Sequence, residues 1–197
     1  MKLKFKKLNV SDKSFNMEEI KLSDDVFEQI KDFDIGNLTE EQKLLIDKLI
    51  LNEELKNRYK EYGLCKECKQ PNTGHFGDYW CQSCNDKRFQ QNFQNWTSGN
   101  HDIDELIQRT QLKAKNHWEI LEWIEYDRFE NIEYLAKGGF GITYKATWKD
   151  GYIYYWDYEN NQWDRYGITD VALKCLHNSQ NITVEFLREV RYFFYNF

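Results

Sequence analysis

Two Cys-x₂-Cys pairs, Cys65 with Cys68 and Cys81 with Cys84, are separated by twelve residues. A two-residue gap lets both thiolates of a pair face one ion from a single tight turn. Two such pairs supply the four sulfurs of a tetrahedral zinc shell. Between them, residues 69–80 contain Pro71, Gly74 and Gly77, which allow the chain to fold back as a loop or short hairpin. Lys66, Lys69 and Lys87 are close enough in sequence to offset the negative charge of four thiolates. Four sulfurs leave no coordination position open, so the expected metal is structural. His75 is then read as a loop histidine, because the shell is complete without it. Two disulfides, or four buried thiols, are the alternatives. A chain of the cell interior favours metal over disulfides.

A second concentration of chemistry lies further along. Ala136-Lys137-Gly138-Gly139-Phe140-Gly141-Ile142-Thr143 is followed by Val171-Ala172-Leu173-Lys174, and then by Glu185-Phe186-Leu187-Arg188-Glu189-Val190. Glycines in a turn between strands let backbone N–H groups approach phosphate oxygens. A lysine beside them needs a carboxylate to hold its extended rotamer and keep it protonated. Each part alone has an ordinary explanation: a Gly-rich hairpin, a strand-end lysine, a solvated helix face. Their order is the informative feature.

In that order the segment resembles the start of a protein kinase. Gly138 and Gly141 match the second and third glycines of the kinase loop, Ala136 stands at the first, and Thr143 stands at the valine position. Phe140 would occupy the loop tip. Val171-Ala172-Leu173-Lys174 is similar to the Val-Ala-Ile-Lys strand, which implies Lys174 on the α- and β-phosphates of ATP. The last segment is similar to the opening of the kinase C-helix, with Glu189 as the lysine's partner and Glu185 as the weaker candidate. The resemblance covers residues 129–197, the front of an N-lobe. Residues 1–197 contain no His-Arg-Asp catalytic loop and no Asp-Phe-Gly metal ligand, so no residue here is assigned as catalytic base or magnesium ligand. The expectation is weak ATP binding through Ala136, Gly138, Gly139, Phe140, Gly141, Lys174 and Glu189, with phosphotransfer to protein hydroxyls only where the missing catalytic half is supplied. A four-cysteine, zinc-ribbon-like segment ahead of such a kinase is similar to expanded fungal families of the tyrosine-kinase-like branch. The competing reading is a non-catalytic zinc-ribbon and helical protein-interaction module that carries a kinase remnant.

The elements that must position these residues follow from pattern. Residues 1–38 are charged and weakly patterned, partly disordered or helical, with Ser23 as a candidate N-cap. Thr39 and Gln42 form a capping box, and the apolar stripe through Leu44, Leu45, Leu49 and Leu55 predicts one helix over 39–63 that stops at Gly63. Residues 64–96 make the zinc-ribbon-like segment and a helix from Asp86 to Trp96, with Phe89, Phe93 and Trp96 on one face. Residues 97–128 read as a helical linker opening at Asp102. From Phe129 the period becomes strand-like. The aromatic run from Tyr152 to Tyr166, with Glu159-Asn160-Asn161 as its turn, predicts a hairpin inserted into the N-lobe sheet. The fold class is α+β: a helical N-terminal region with a small zinc ribbon, then an incomplete antiparallel sheet and the start of a helix. In kinases the third strand pairs on its far side with a strand that follows the C-helix; residues 1–197 do not include that strand, so the edge at residues 171–173 is expected to be open, a template for self-association. Cys175 is read as a packing residue.

Composition limits the partners. The net charge of −6 supplies no global basic field for nucleic acid or an anionic membrane. Lys87 and Arg88 interleave with aromatics, but the helical spacing of Phe89 and Phe93 turns those rings toward a core. Nucleic acid is therefore disfavoured, and the protein partner or substrate is undefined. No stretch approaches the ~20 apolar residues of a membrane span, and the basic Met1-Lys2-Leu3-Lys4 start is not followed by an apolar signal core. The expected compartment is the cytoplasm. Aromatic residues make up 17% of the chain, so Tyr and Trp must supply much of the core, and their buried polar atoms need partners.

Overall fold

A computed structural model describes residues 21–74, 80–139 and 141–176. His75, Phe140, Glu185, Glu189, the expected C-helix and residues 1–20 lie outside the described residues.

The first layer is a small helical core. Helix α1 (Asp24–Ile30) is capped by Ser23, whose hydroxyl accepts from the Val26 N–H. Helix α2 (Glu40–Leu49) opens with the full capping box, Gln42 N–H to Thr39 Oγ1 at 3.2 Å and Thr39 N–H to Gln42 Oε1 at 2.9 Å. The single helix expected over 39–63 is in fact two. The chain leaves the helix at Ile50, and α3 (Glu53–Tyr62) restarts under an Asn52 cap whose Oδ1 accepts from the Leu55 N–H at 2.9 Å. The break lets Ile50 enter the core while Leu51 stays exposed. Gly63, at φ +67°, ends α3 as expected. Ile30, Ile46, Ile50, Leu55 and Tyr59 form the buried cluster, and the Tyr59 hydroxyl donates to the Ile30 carbonyl at 2.8 Å. Burial pushes the Tyr59 phenol up to about 12, so it remains a donor.

Thr39→Ala deletes one half of the capping box. It should cost about 1 kcal/mol, read as a lowered urea midpoint at constant m-value.

The second layer joins helix α4 (Gln82–Asn92), helix α5 (His101–Lys113) and a two-stranded hairpin, β3 (Ile153–Asp157) with β4 (Gln162–Arg165). The helix expected from Asp86 begins four residues earlier, which places the second cysteine pair at its first turn. The expected helical linker over 97–128 is helical through α5 and then continues as single turns and extended chain. That extended chain is fastened by side chains. Trp80 Nε1–H donates to the Ala114 carbonyl at 2.9 Å, Gln111 Nε2–H to the Leu121 carbonyl at 2.8 Å, and Arg165 pairs with Glu122.

The third layer is an antiparallel sheet in the order β1-β2-β5, made of β1 (Phe129–Gly138), β2 (Gly141–Trp148) and β5 (Thr169–Leu176). The hairpin β3–β4 is inserted between β2 and β5, as the aromatic run predicted. Its base is closed by Tyr166 N–H to the Tyr152 carbonyl at 3.0 Å and by a close approach of two turns. A Cβ at Gly151, already at φ +66°, would lie 2.0 Å from the Gly167 carbonyl oxygen, so only glycine fits there. Among the described residues no helix is long and apolar enough to cross a membrane.

Candidate metal centre and glycine-turn sheet

The four cysteines converge. Cys65 and Cys68 sit on a knuckle that follows α3, based on a bridge between Leu64 and Pro71. Cys65 N–H donates to the Gln70 carbonyl at 2.8 Å, and Lys69 N–H donates back to the Cys65 carbonyl at 3.0 Å. Lys69 closes this turn in the left-handed region at φ +62°. The knuckle is tied to the helical core by fully buried Asn72, whose amide donates to the Tyr62 carbonyl at 3.0 Å. Gln70 adds a second tie, its Oε1 accepting from the Leu22 N–H at 2.7 Å. Thr73 brings the second pair back: its N–H donates to the Trp80 carbonyl at 2.7 Å, and its hydroxyl accepts from the Gln82 N–H at 3.1 Å. Cys81 then occupies the N-cap position of α4 without a side-chain cap bond, and Cys84 lies in the first turn, where unpaired N–H groups favour thiolates.

The four sulfurs lie within 4.8 Å of one another, with Cys65–Cys84 at 3.8 Å and Cys68–Cys81 at 3.5 Å. A tetrahedron with metal–sulfur bonds of ~2.3 Å has edges of roughly 3.8 Å. A disulfide needs about 2.05 Å, and all the cysteines are free thiols. The donor set therefore fits a four-sulfur metal shell. Hydrogen bonds among the sulfurs split their proton affinities. Contact with Cys68, then Cys81 and Cys84, holds Cys65 well below an ordinary thiol, while contact with Cys65 pushes Cys81 and Cys84 up. Metal binding must displace the remaining protons, so occupancy falls on acidification.

The surroundings differ from the sequence expectation in one respect. Lys69 places its ammonium 4.9 Å from the Phe27 ring centre, and Lys87 is exposed. The cation that organises the site is Arg88, one turn past Cys84. It pairs with Glu67 of the knuckle, donates to Asn85 Oδ1 at 2.7 Å, and lies 4.4 Å from the Trp156 ring centre and 5.4 Å from that of Tyr158. Its side chain is only 10% exposed. No signal for this arrangement is present in the sequence, because the two rings that receive Arg88, Trp156 and Tyr158, lie some 70 residues away. Phe89 is buried against Trp163, so both residues are used inside the fold.

The second group is arranged by strand register. Gly138 faces Gly141 across the β1–β2 turn, with Gly139 in the turn itself. Ala136 pairs with Thr143, and Thr143 pairs with Lys174, so these three lie in one row on one face of the sheet. Ala172 lies two residues along β5 on the same face, opposite Lys145, which in turn bridges Asp170 at 2.8 Å. A Cβ built at Gly138 or Gly139 would meet nothing within 4 Å, and neither residue is in the left-handed region. Cys175 is exposed on β5, a correction to its reading as a packing residue. Lys174 is exposed as well. Neither protein-family models, nor curated proteins, nor solved structures give a match to this chain.

Proposed function

We propose that residues 129–176 form a nucleotide-phosphate platform of the protein-kinase type, and that Cys65, Cys68, Cys81 and Cys84 hold one structural Zn²⁺. The observation that carries the nucleotide reading is the row Ala136–Thr143–Lys174, which sets a lysine two strands from a glycine turn on a common face. The glycines support it independently. Neither packing nor backbone conformation demands Gly138 or Gly139, whereas close approach of a phosphate to the backbone N–H groups would. In this reading Lys174 neutralises phosphate charge and the turn supplies N–H donors. The proposal for residues 129–176 is nucleotide-phosphate binding, and it assigns no residue as magnesium ligand or as acceptor of a hydroxyl proton. For the metal, an all-sulfur tetrahedral donor set supports zinc, and the absence of an open position gives it a folding role rather than a catalytic one.

Titration calorimetry with Mg-ATP on the full chain should give millimolar affinity, about 4 kcal/mol. Lys174→Met and Gly138→Ala should each remove most of the heat. Lys174→Met removes the charge, and Gly138→Ala inserts a methyl group where the fold has room but a phosphate would not. Binding that is unchanged in both variants would refute the platform.

A further inference from the structure

The inserted hairpin β3–β4 does not extend the sheet it interrupts. It lies against the element that carries the second cysteine pair. Trp163 stacks on Phe89 of α4 with ring centres 4.7 Å apart, and on Trp80, the residue before Cys81, at 5.7 Å. Trp156 meets Trp163 edge-on at 5.1 Å and receives the Arg88 guanidinium on its face. At the tip, the Tyr158 hydroxyl stands 3.9 Å from Cys65 Sγ, a sulfur that already accepts from the Glu67 N–H at 3.4 Å. One hairpin thus touches the knuckle's thiolate, the charge beside it and the aromatic floor under the helix.

We infer that hairpin β3–β4 is the outer wall of the metal centre, with Tyr158 as a hydrogen-bond donor to the metal-bound Cys65 thiolate and Arg88 as the link between knuckle, helix and hairpin. Four thiolates around a divalent cation carry a net charge of −2, and donors to sulfur stabilise that charge and orient the ligand. Metal loss releases the Cys65 sulfur from its fixed place in the shell, and with it the acceptor that the hairpin tip meets. It also frees Cys81, and with it the neighbouring Trp80, on which Trp163 rests. The inference rests on the metal centre and is independent of nucleotide binding.

The full chain loaded with Co²⁺ gives a sulfur-to-cobalt charge-transfer band that reports on thiolate electron density. Tyr158→Phe keeps the ring and deletes only the donor. It should shift that band to lower energy and weaken metal affinity about 10-fold in chelator competition, the lower end for second-shell partners. Hydrogen exchange supplies the second arm. Chelation should cut protection of the amides in residues 153–165 at least about 10-fold, in step with those of α4, while the β1–β2 ladder changes less. An unchanged band and affinity in Tyr158→Phe, with hairpin protection indifferent to metal, would overturn the inference and leave the metal site standing. A chain that binds no metal would overturn both.

Discussion

Replacing Cys81 by serine should abolish metal retention and, with it, cooperative unfolding of the region from Leu22 to Lys113. Purified wild-type chain is expected to carry one metal ion per molecule, and the variant close to none. The size of the effect follows from what the metal replaces. Structural zinc sites contribute an apparent 10–16 kcal/mol at neutral pH, on the order of the entire 5–15 kcal/mol stability of a domain. Here three of the four cysteines are buried at the centre of the cluster, and contacts between thiols are far weaker than the metal–thiolate bonds they would replace. Serine offers a hard, neutral oxygen in place of a thiolate, so it restores neither charge nor affinity. The same loss should follow chelation of the wild type or acidification, because protons compete for the thiolates. Cys175→Ser is the internal control. It lies exposed on β5, away from the cluster, and should change stability by no more than ~0.5 kcal/mol. Metal analysis and thermal unfolding of the two variants decide the matter. A Cys81→Ser chain that melts like the wild type would show that the cysteines are packing residues.

Trp163→Ala should be the most damaging single change outside the metal ligands. Its ring is sandwiched against Trp80 and Phe89 and meets Trp156 edge-on, at the junction of the hairpin with α4. Truncating such a residue removes the transferred apolar area and leaves a cavity that flanking aromatics cannot fill, which costs about 3 kcal/mol for a partly buried tryptophan. Trp80 and Ile153, buried in the same cluster, would lose contacts on one side. Ile168→Ala, 76% exposed beyond the hairpin base, should stay within ~0.5 kcal/mol. Denaturant unfolding that gives similar midpoints for the two variants would mean that the hairpin is not part of the core.

The two predictions probe parts of the molecule that differ in how legible they were. The cysteine centre was legible because each Cys-x₂-Cys pair is a local object: two residues of spacing nearly dictate the turn that presents both sulfurs. The same holds for the Thr39–Gln42 capping box, Gly63 as a helix stop, and the Asn160-Asn161 hairpin turn, where Asp157 Oδ1 accepts from the Glu159 and Asn160 N–H groups. The strand order around the glycine turn also followed, since β1 and β2 are joined by a two-residue connection and each strand alternates locally.

What failed did so for reasons of competition between local and distant terms. The break at residues 50–52 was invisible because the apolar stripe continues through it; only burial of Ile50 against Ile30 and Ile46, with Asn52 free to cap, makes two helices better than one. The start of α4 was misplaced because Cys81 is a poor cap by residue type. The helix begins there because the knuckle and Thr73 fix the chain at that point. Lys69 lies over the Phe27 ring, and Arg88 is held beside the cysteine pair because Trp156 and Tyr158 supply ring faces that a planar guanidinium can stack upon.

Sequence alone set four cysteines at metal spacing, a glycine turn followed by a strand lysine, and most of the helices and strands through caps and alternation. Only the tertiary structure decided that the hairpin inserted in the sheet belongs to the core of the cysteine module. Trp163 meets Phe89 and Trp80 across more than seventy residues of chain. Such a contact has no local signature, because an alternating aromatic strand fits any apolar surface, and the choice among surfaces is made by the shape and depth of the one that the folded helices present.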